Sequence, residues 1–243
     1  MLDAISAIES QLKKPEFDSK YSADQAITSV QFSEISDTSL LTVVFPAWHM
    51  PAKLTARLQQ QLMRQGSSVL MYNFNPLILE DDIIKVKSSF EFIALAVAED
   101  VSALVSHYHF KTVNLLGISV GGVALCIVAE KLPKFHSVTM LAPGNDLAAA
   151  LWAGWRTRRL RNSIRARGYR LADLEKEWAD LAPQNHIQTL KTHPVQIILA
   201  RKDHFIPYSL GRELYKELKS VNPNTTCTTS RFGHVATILR YVH

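Results

Sequence analysis

The sequence predicts an α/β protein: a mostly parallel central sheet with helices on both faces. Three observations point there. Short apolar and β-branched runs alternate with longer stretches of helical periodicity along most of the chain. One run, Leu40 to Phe45, is continuous enough for a central strand buried on both faces. And a serine flanked by glycines, Gly117-Ile118-Ser119-Val120-Gly121, stands between a run of strand length and an apolar helix.

Taken in order, residues 2–13 have the apolar spacing of a short amphipathic helix, stopped near Pro15. Residues 26–32 alternate as a strand does, and the turn-like Ser36-Asp37-Thr38-Ser39 leads into the strand over 40–45. Residues 46–51 read as a loop, 53–64 as a helix ending at Gly66, and 68–74 as a strand. A long helix over 86–108 precedes a strand over 112–116, and a buried helix over 123–131 stops at Leu132-Pro133. Strands follow at 137–141 and 195–200, then a helix at 207–219, a strand at 225–231 and a closing helix at 235–241. In such sheets ligands bind beyond the carboxyl ends of the strands. The loops after Phe45, Leu116, Leu141, Ala200 and Arg231 therefore gather at one rim.

Length and composition suit one sizeable domain with an insertion. The chain has 243 residues, 47% hydrophobic and 20% charged, which argues against disorder. A formal charge of +5 is modest. Two cysteines, Cys126 and Cys227, fall in an apolar helix and a strand with no Cys-x-x-Cys spacing, so free buried thiols and no structural zinc are expected. The first residues lack the basic start and apolar run of a signal peptide. The most apolar long stretch, Phe90 to Val105, is interrupted by Glu91, Glu99 and Asp100, so no membrane span is expected. A cytoplasmic protein is the expectation.

The glycine-flanked serine carries the chemistry. Gly-x-Ser-x-Gly at a strand-to-helix turn is the pattern of a nucleophile elbow. The chain reverses within a few residues, which strains the serine backbone. Side chains at Gly117 or Gly121 would strike the neighbouring strand and helix, and Gly122 extends the clearance. The turn raises the hydroxyl above the sheet edge and turns the Val120 N–H toward any oxyanion that forms.

A serine hydroxyl needs a base, and the base needs an orienting acid. The order Ser, Asp, His is met by Ser119, Asp203 and His234, each on the loop after a strand. Asp203 alone could form an Asx turn or cap the next helix, and His234 alone could be a solvent-facing helix start. Asp146, in Ala142-Pro143-Gly144-Asn145-Asp146, is a rival acid or a helix cap. His49, His204 and His193 are weaker base candidates. The second oxyanion donor belongs in the loop after Phe45, where Pro46 has no N–H; Ala47 is the choice, with Trp48 behind it. The Trp48 ring would wall the pocket, with His49 beside it as a substrate contact.

These segments resemble the α/β-hydrolase superfamily of serine esterases, lipases and thioesterases. The resemblance rests on the Gly117–Gly121 elbow, on Asp203 before Phe205-Ile206-Pro207, and on Gly233-His234, and it covers residues 26–243. It implies Ser119 as nucleophile, His234 as general base, Asp203 as its partner, and Ala47 and Val120 as oxyanion donors. It implies an ester or thioester substrate and no metal or organic cofactor. Phe45-Pro46 stands where many relatives carry His-Gly, and the N-terminal strands are fewer than in a full eight-stranded sheet. An acyltransferase on the same triad and a non-catalytic ligand binder are the alternatives.

Residues 1–145 and 191–243 are thus expected to form the core, with 146–190 a helical cap insertion. The insertion holds Trp152, Trp155 and Trp178, with Trp152 and Trp155 expected at the substrate, narrowing the cap toward short-to-medium acyl chains. It also holds Arg156, Arg158, Arg159, Arg161, Arg165, Arg167 and Arg170, with no acidic residue among positions 156–170. The arginines could pair with Asp173, Glu175, Glu177 and Asp180, or draw an anionic substrate. The aromatic and glycine pattern of an RNA module is missing, which argues against a nucleic-acid partner.

Overall fold

The computed structural model describes residues 26–36 and 38–242. The expected helix over residues 2–13 lies outside them. Seven strands form one sheet: β1 (Ile27–Ser33), β2 (Leu40–Phe45), β3 (Ser68–Phe74), β4 (Thr112–Ile118), β5 (Ser137–Leu141), β6 (Val195–Ala200) and β7 (Thr225–Ser230). Their order is β1-β3-β2-β4-β5-β6-β7. Only β1 runs antiparallel, pairing with β3 from Ile27 opposite Phe74 to Ser33 opposite Val69. The other neighbours are parallel.

Burial follows position in the sheet. On β2, Leu41, Val43 and Phe45 face one core while Val44 faces the other, the period-2 split of a strand covered on both sides. Thr42 is tolerated inside because its hydroxyl meets that of Ser67 at 2.7 Å. At the far edge, Thr-rich β7 buries Thr225 and exposes much of the rest. One face of the sheet packs on α2 (Ile83–Tyr108) and α3 (Gly121–Lys131), joined by Leu214 and Leu218 of α7 (Tyr208–Val221). The opposite face packs on α1 (Ala52–Arg64) through Leu58 and Leu62 and on α8 (His234–Tyr241) through Ile238.

Helix α2 begins earlier than the expected residue 86. Asp82 stops the loop there, its carboxylate accepting the N–H groups of Ile84 (3.2 Å) and Lys85 (3.1 Å) as an N-cap. Strand β4 runs on to Ile118, past the expected 116, because Gly117 still pairs with Phe45 and Met140. Residues 142–194 carry α4 (Leu147–Ala153), α5 (Arg158–Ala166), α6 (Leu171–Glu177) and two short 3-10 turns. Trp178 roots this stretch in the core: it is fully buried and its indole N–H donates to Ile83 O at 2.8 Å.

Among the described residues no guanidinium of the stretch pairs with Asp173, Glu175, Glu177 or Asp180; only the backbone N–H of Arg170 reaches Asp173 Oδ2, at 2.7 Å. Asp180 pairs with Lys87 at 3.1 Å, and Arg167 reaches Asp81 at 2.7 Å, just before α2. Ser163 also donates to Asp81. That hydrogen bond, with the Arg167 charge behind it, holds the Asp81 carboxyl below its ordinary value against the opposing effect of desolvation. Neither cysteine forms a disulfide. Cys126 is buried, and burial pushes its thiol pKa far up; Cys227 is only half-buried, because it lies on the edge strand. No helix among the described residues is long and apolar enough to cross a membrane.

Candidate active site

Five parallel strands end at one rim, and the loops leaving them line a single cavity of about 390 Å³. Ala47 to Pro51 come from the loop after β2, Ser119 and Val120 follow β4, and Gly144 and Asp146 follow β5. Phe205 and Ile206 follow β6, and His234 and Val235 follow β7.

Ser119 sits between β4 and α3 with φ of 56°, in the left-handed region that non-glycine residues adopt at a cost of roughly 1–3 kcal/mol. Its N–H is held by Leu141 O at 2.8 Å, and its carbonyl accepts the Gly122 N–H at 2.9 Å. The tightness has a backbone cause. A Cβ on Gly121 would come within 2.1 Å of Phe45 O, and one on Gly117 within 2.8 Å of Gly121 O. Gly122 differs: a Cβ there meets only Pro143 Cβ at 3.6 Å, ordinary contact, so this third glycine is not required for clearance.

Asp203 and His234 meet. The imidazole Nδ1 lies 2.6 Å from Asp203 Oδ2, and both side chains are almost fully buried. The other carboxylate oxygen, Oδ1, accepts the N–H groups of Phe205 (2.8 Å) and Ile206 (3.0 Å). One carboxylate thus builds the Asx turn of its own loop and meets the histidine. With Nδ1–H donating to Asp203, the Nε2 lone pair is left free. Phe205 stacks on the imidazole, centroids 5.0 Å apart and planes 10° from parallel, which fixes the ring from its face. Ser119 and His234 share the cavity, with no hydrogen bond between them among the described residues; before substrate arrives such contacts are commonly long.

Ala47 and Val120 both line the cavity, and neither N–H has an acceptor among the described residues. Val120 directly precedes α3, so its N–H belongs to the positive end of that helix. Asp146, the rival acid, accepts the Ala149 N–H at 2.8 Å and caps α4. No hydrogen bond joins it to His234 among the described residues. His193 lies against Phe135, 3.9 Å between centroids, away from the cavity, and His204 is exposed on the rim outside it.

The predicted substrate contacts divide. Trp48 and His49 line the cavity, with Trp48 anchored by its indole N–H to Pro76 O at 2.8 Å. Trp152 and Trp155 do not line it. Trp152 packs on the core and its carbonyl takes the Arg161 guanidinium, while Trp155 is 64% exposed. The expectation that they narrow the cavity loses its ground; Leu54, Leu79, Leu147, Leu151 and Ile206 form its walls. Three further residues line it: Phe205 and Thr157, which the sequence does not mark as substrate contacts, and Arg156, which it offers only as one of seven arginines. Phe205 is signalled only by its place two residues after Asp203, and Arg156 by the glycine two residues before it. Among the described residues, no three His, Cys, Asp or Glu side chains gather as a metal ligand set.

No protein-family model matches the chain, and neither does any curated protein. Solved structures do. An esterase from Pyrococcus furiosus superposes with a TM-score of 0.60 at 16% identity, covering 84% of this chain and 76% of that one. The esterase domain of a Rhodothermus marinus protein superposes at 0.58 and 13% identity, covering 88% of this chain and 87% of that one. The Pyrococcus horikoshii acylaminoacyl peptidase superposes at 0.65 and 11%, with 86% of this chain covering 35% of that one. With the sheet order and the turn at Ser119, these likenesses establish the α/β-hydrolase fold for this chain.

Proposed function

We propose that the protein is a serine hydrolase that cleaves carboxylic esters or thioesters through an acyl-enzyme. Ser119 Oγ attacks the carbonyl carbon while His234 Nε2 takes its proton. The Ala47 and Val120 N–H groups receive the negative charge that builds on the carbonyl oxygen, each donor contributing about 3 kcal/mol in such sites. As the tetrahedral intermediate collapses, His234 returns the proton to the departing alcohol or thiol. Water then attacks the acyl-serine with His234 again as base, and Ser119 is restored. Asp203 holds the imidazole in the tautomer this needs and stabilises the imidazolium between steps. Residues 146–190 act as the cap over this site, and the described parts of 1–145 and 191–243 as the core.

The observation that carries the reading is the 2.6 Å contact of Asp203 with His234 beside a serine held at positive φ on the same cavity. A fluorophosphonate probe tests it. Covalent labelling is expected in the native chain and lost in Ser119→Ala, with circular dichroism unchanged. A folded native chain that takes no label would refute the reading.

A further inference from the structure

Among the side chains lining the cavity, those with a fixed charge are Arg156 and Asp146. Asp146 is committed to the start of α4 through Ala149 N–H. Arg156 has no carboxylate within ion-pair distance among the described residues, in contrast to Arg167 with Asp81. Its guanidinium carbon lies 6.0 Å from the centroid of the Phe205 ring, whose plane is stacked on His234. A cation therefore stands one aromatic ring away from the imidazole.

The position of Arg156 is built rather than incidental. Gly154 lets its turn approach the loop after β6 so closely that a Cβ would meet Phe205 O at 2.5 Å. Trp155 N–H donates to His204 O at 3.0 Å, and Thr157 Oγ1 donates to Leu151 O at 2.6 Å and to Gly154 O at 3.1 Å. The residue is thus flanked on one side by a bond to the loop after β6, which carries Asp203 and Phe205, and on the other by bonds that close its own turn onto the end of α4. In a cavity walled mainly by aliphatic side chains, an unpaired guanidinium does nothing for a neutral ester. For a carboxylate, Arg156, exposed to solvent where it lines the cavity, supplies a charge-assisted, two-pronged donor.

We propose that Arg156 sets the specificity of the cavity by binding a carboxylate carried by the ester or thioester, a few bonds from the reacting carbonyl. This rests on the hydrolase reading above. The expected discrimination is about tenfold, the ratio that 1.4 kcal/mol gives.

Two charged and neutral substrate pairs test it. Mono-p-nitrophenyl adipate against the p-nitrophenyl ester of adipamic acid places the charge on the acyl side. 4-Acetoxybenzoate against 4-acetoxybenzamide places it on the leaving group. With background hydrolysis subtracted, kcat/KM is expected to favour the anion about tenfold in at least one pair, and which pair does so tells the side. Arg156→Met, or Arg156→Gln where the Met variant does not fold, is expected to bring that ratio to about one, while Arg159→Met, on the exposed part of α5, keeps it. A ratio near one in both native pairs overturns the proposal. So does a preference that survives removal of Arg156, or one lost equally in Arg159→Met, which would assign it to the field of the whole stretch. Fluorophosphonate labelling separates the two levels: Ser119 labelled without anion preference or without turnover of the four esters sinks the role of Arg156 alone, whereas no labelling and no turnover sinks the hydrolase reading with it.

Discussion

Helices α3 and α5 both start beside the cavity, one just after Ser119 and the other just after Arg156, and they are held by opposite means. Every residue of α3 from Gly121 to Ala129 is buried, and its first turn touches the backbone of Phe45 and Pro46. In α5 only Ile164 is buried, and the helix is tied down by Ser163 and Arg167 on Asp81 and by Arg161 on the Trp152 carbonyl. The serine is thus positioned by close packing that cannot yield. Helix α5 is positioned by a few polar ties and one apolar pin, and its exposed positions tolerate change.

The sharpest test of that contrast is Gly121→Ala. With Phe45 O at 2.1 Å from the added carbon, backbone must shift, and a loss of at least about 3 kcal/mol in urea unfolding is expected together with loss of probe labelling. A folded, fully labelled variant would break the comparison. Ile164→Ala comes next, with about 2–4 kcal/mol expected if this pin carries α5, read from the same titration. Asp81→Asn should cost less and in a pH-dependent way. The Asp81 carboxyl is held below its ordinary value in the folded chain, so its contribution is complete above the unfolded-state value and fades as pH falls through the folded-state one. The Tm gap between native and variant should therefore be widest near neutrality and close in acid. Smallest of all, Arg158→Ala on the exposed part of α5 should stay within about 0.5 kcal/mol. A larger cost would mean the stretch is more tightly built than its ties indicate.

The same contrast decides what was legible in the sequence. The β4–α3 segment announces itself because a strand-length apolar run, paired glycines and an apolar helix are all local signals. The meeting of Asp203 with His234 is legible because parallel strands must end at one edge, and both residues follow a strand. Around α5 the local signals mislead. Seven arginines near an acidic stretch invite pairing between them, yet the partner used is Asp81, 82 positions from Ser163 in the chain. Nothing in residues 156–170 distinguishes the arginine that faces the cavity from those that face outward, and Trp152 and Trp155 reveal their directions only once α4 is docked. Such choices belong to packing between distant segments, which periodicity does not encode.

The left-handed backbone at Ser119 also bears on how this molecule responds to selection. Glycine would adopt that conformation freely, and so Ser119→Gly is expected to melt higher than the native chain while losing all turnover. A library enriched for heat resistance alone would drift toward inert sequences at this position, and only a screen that also scores product formation would retain the serine.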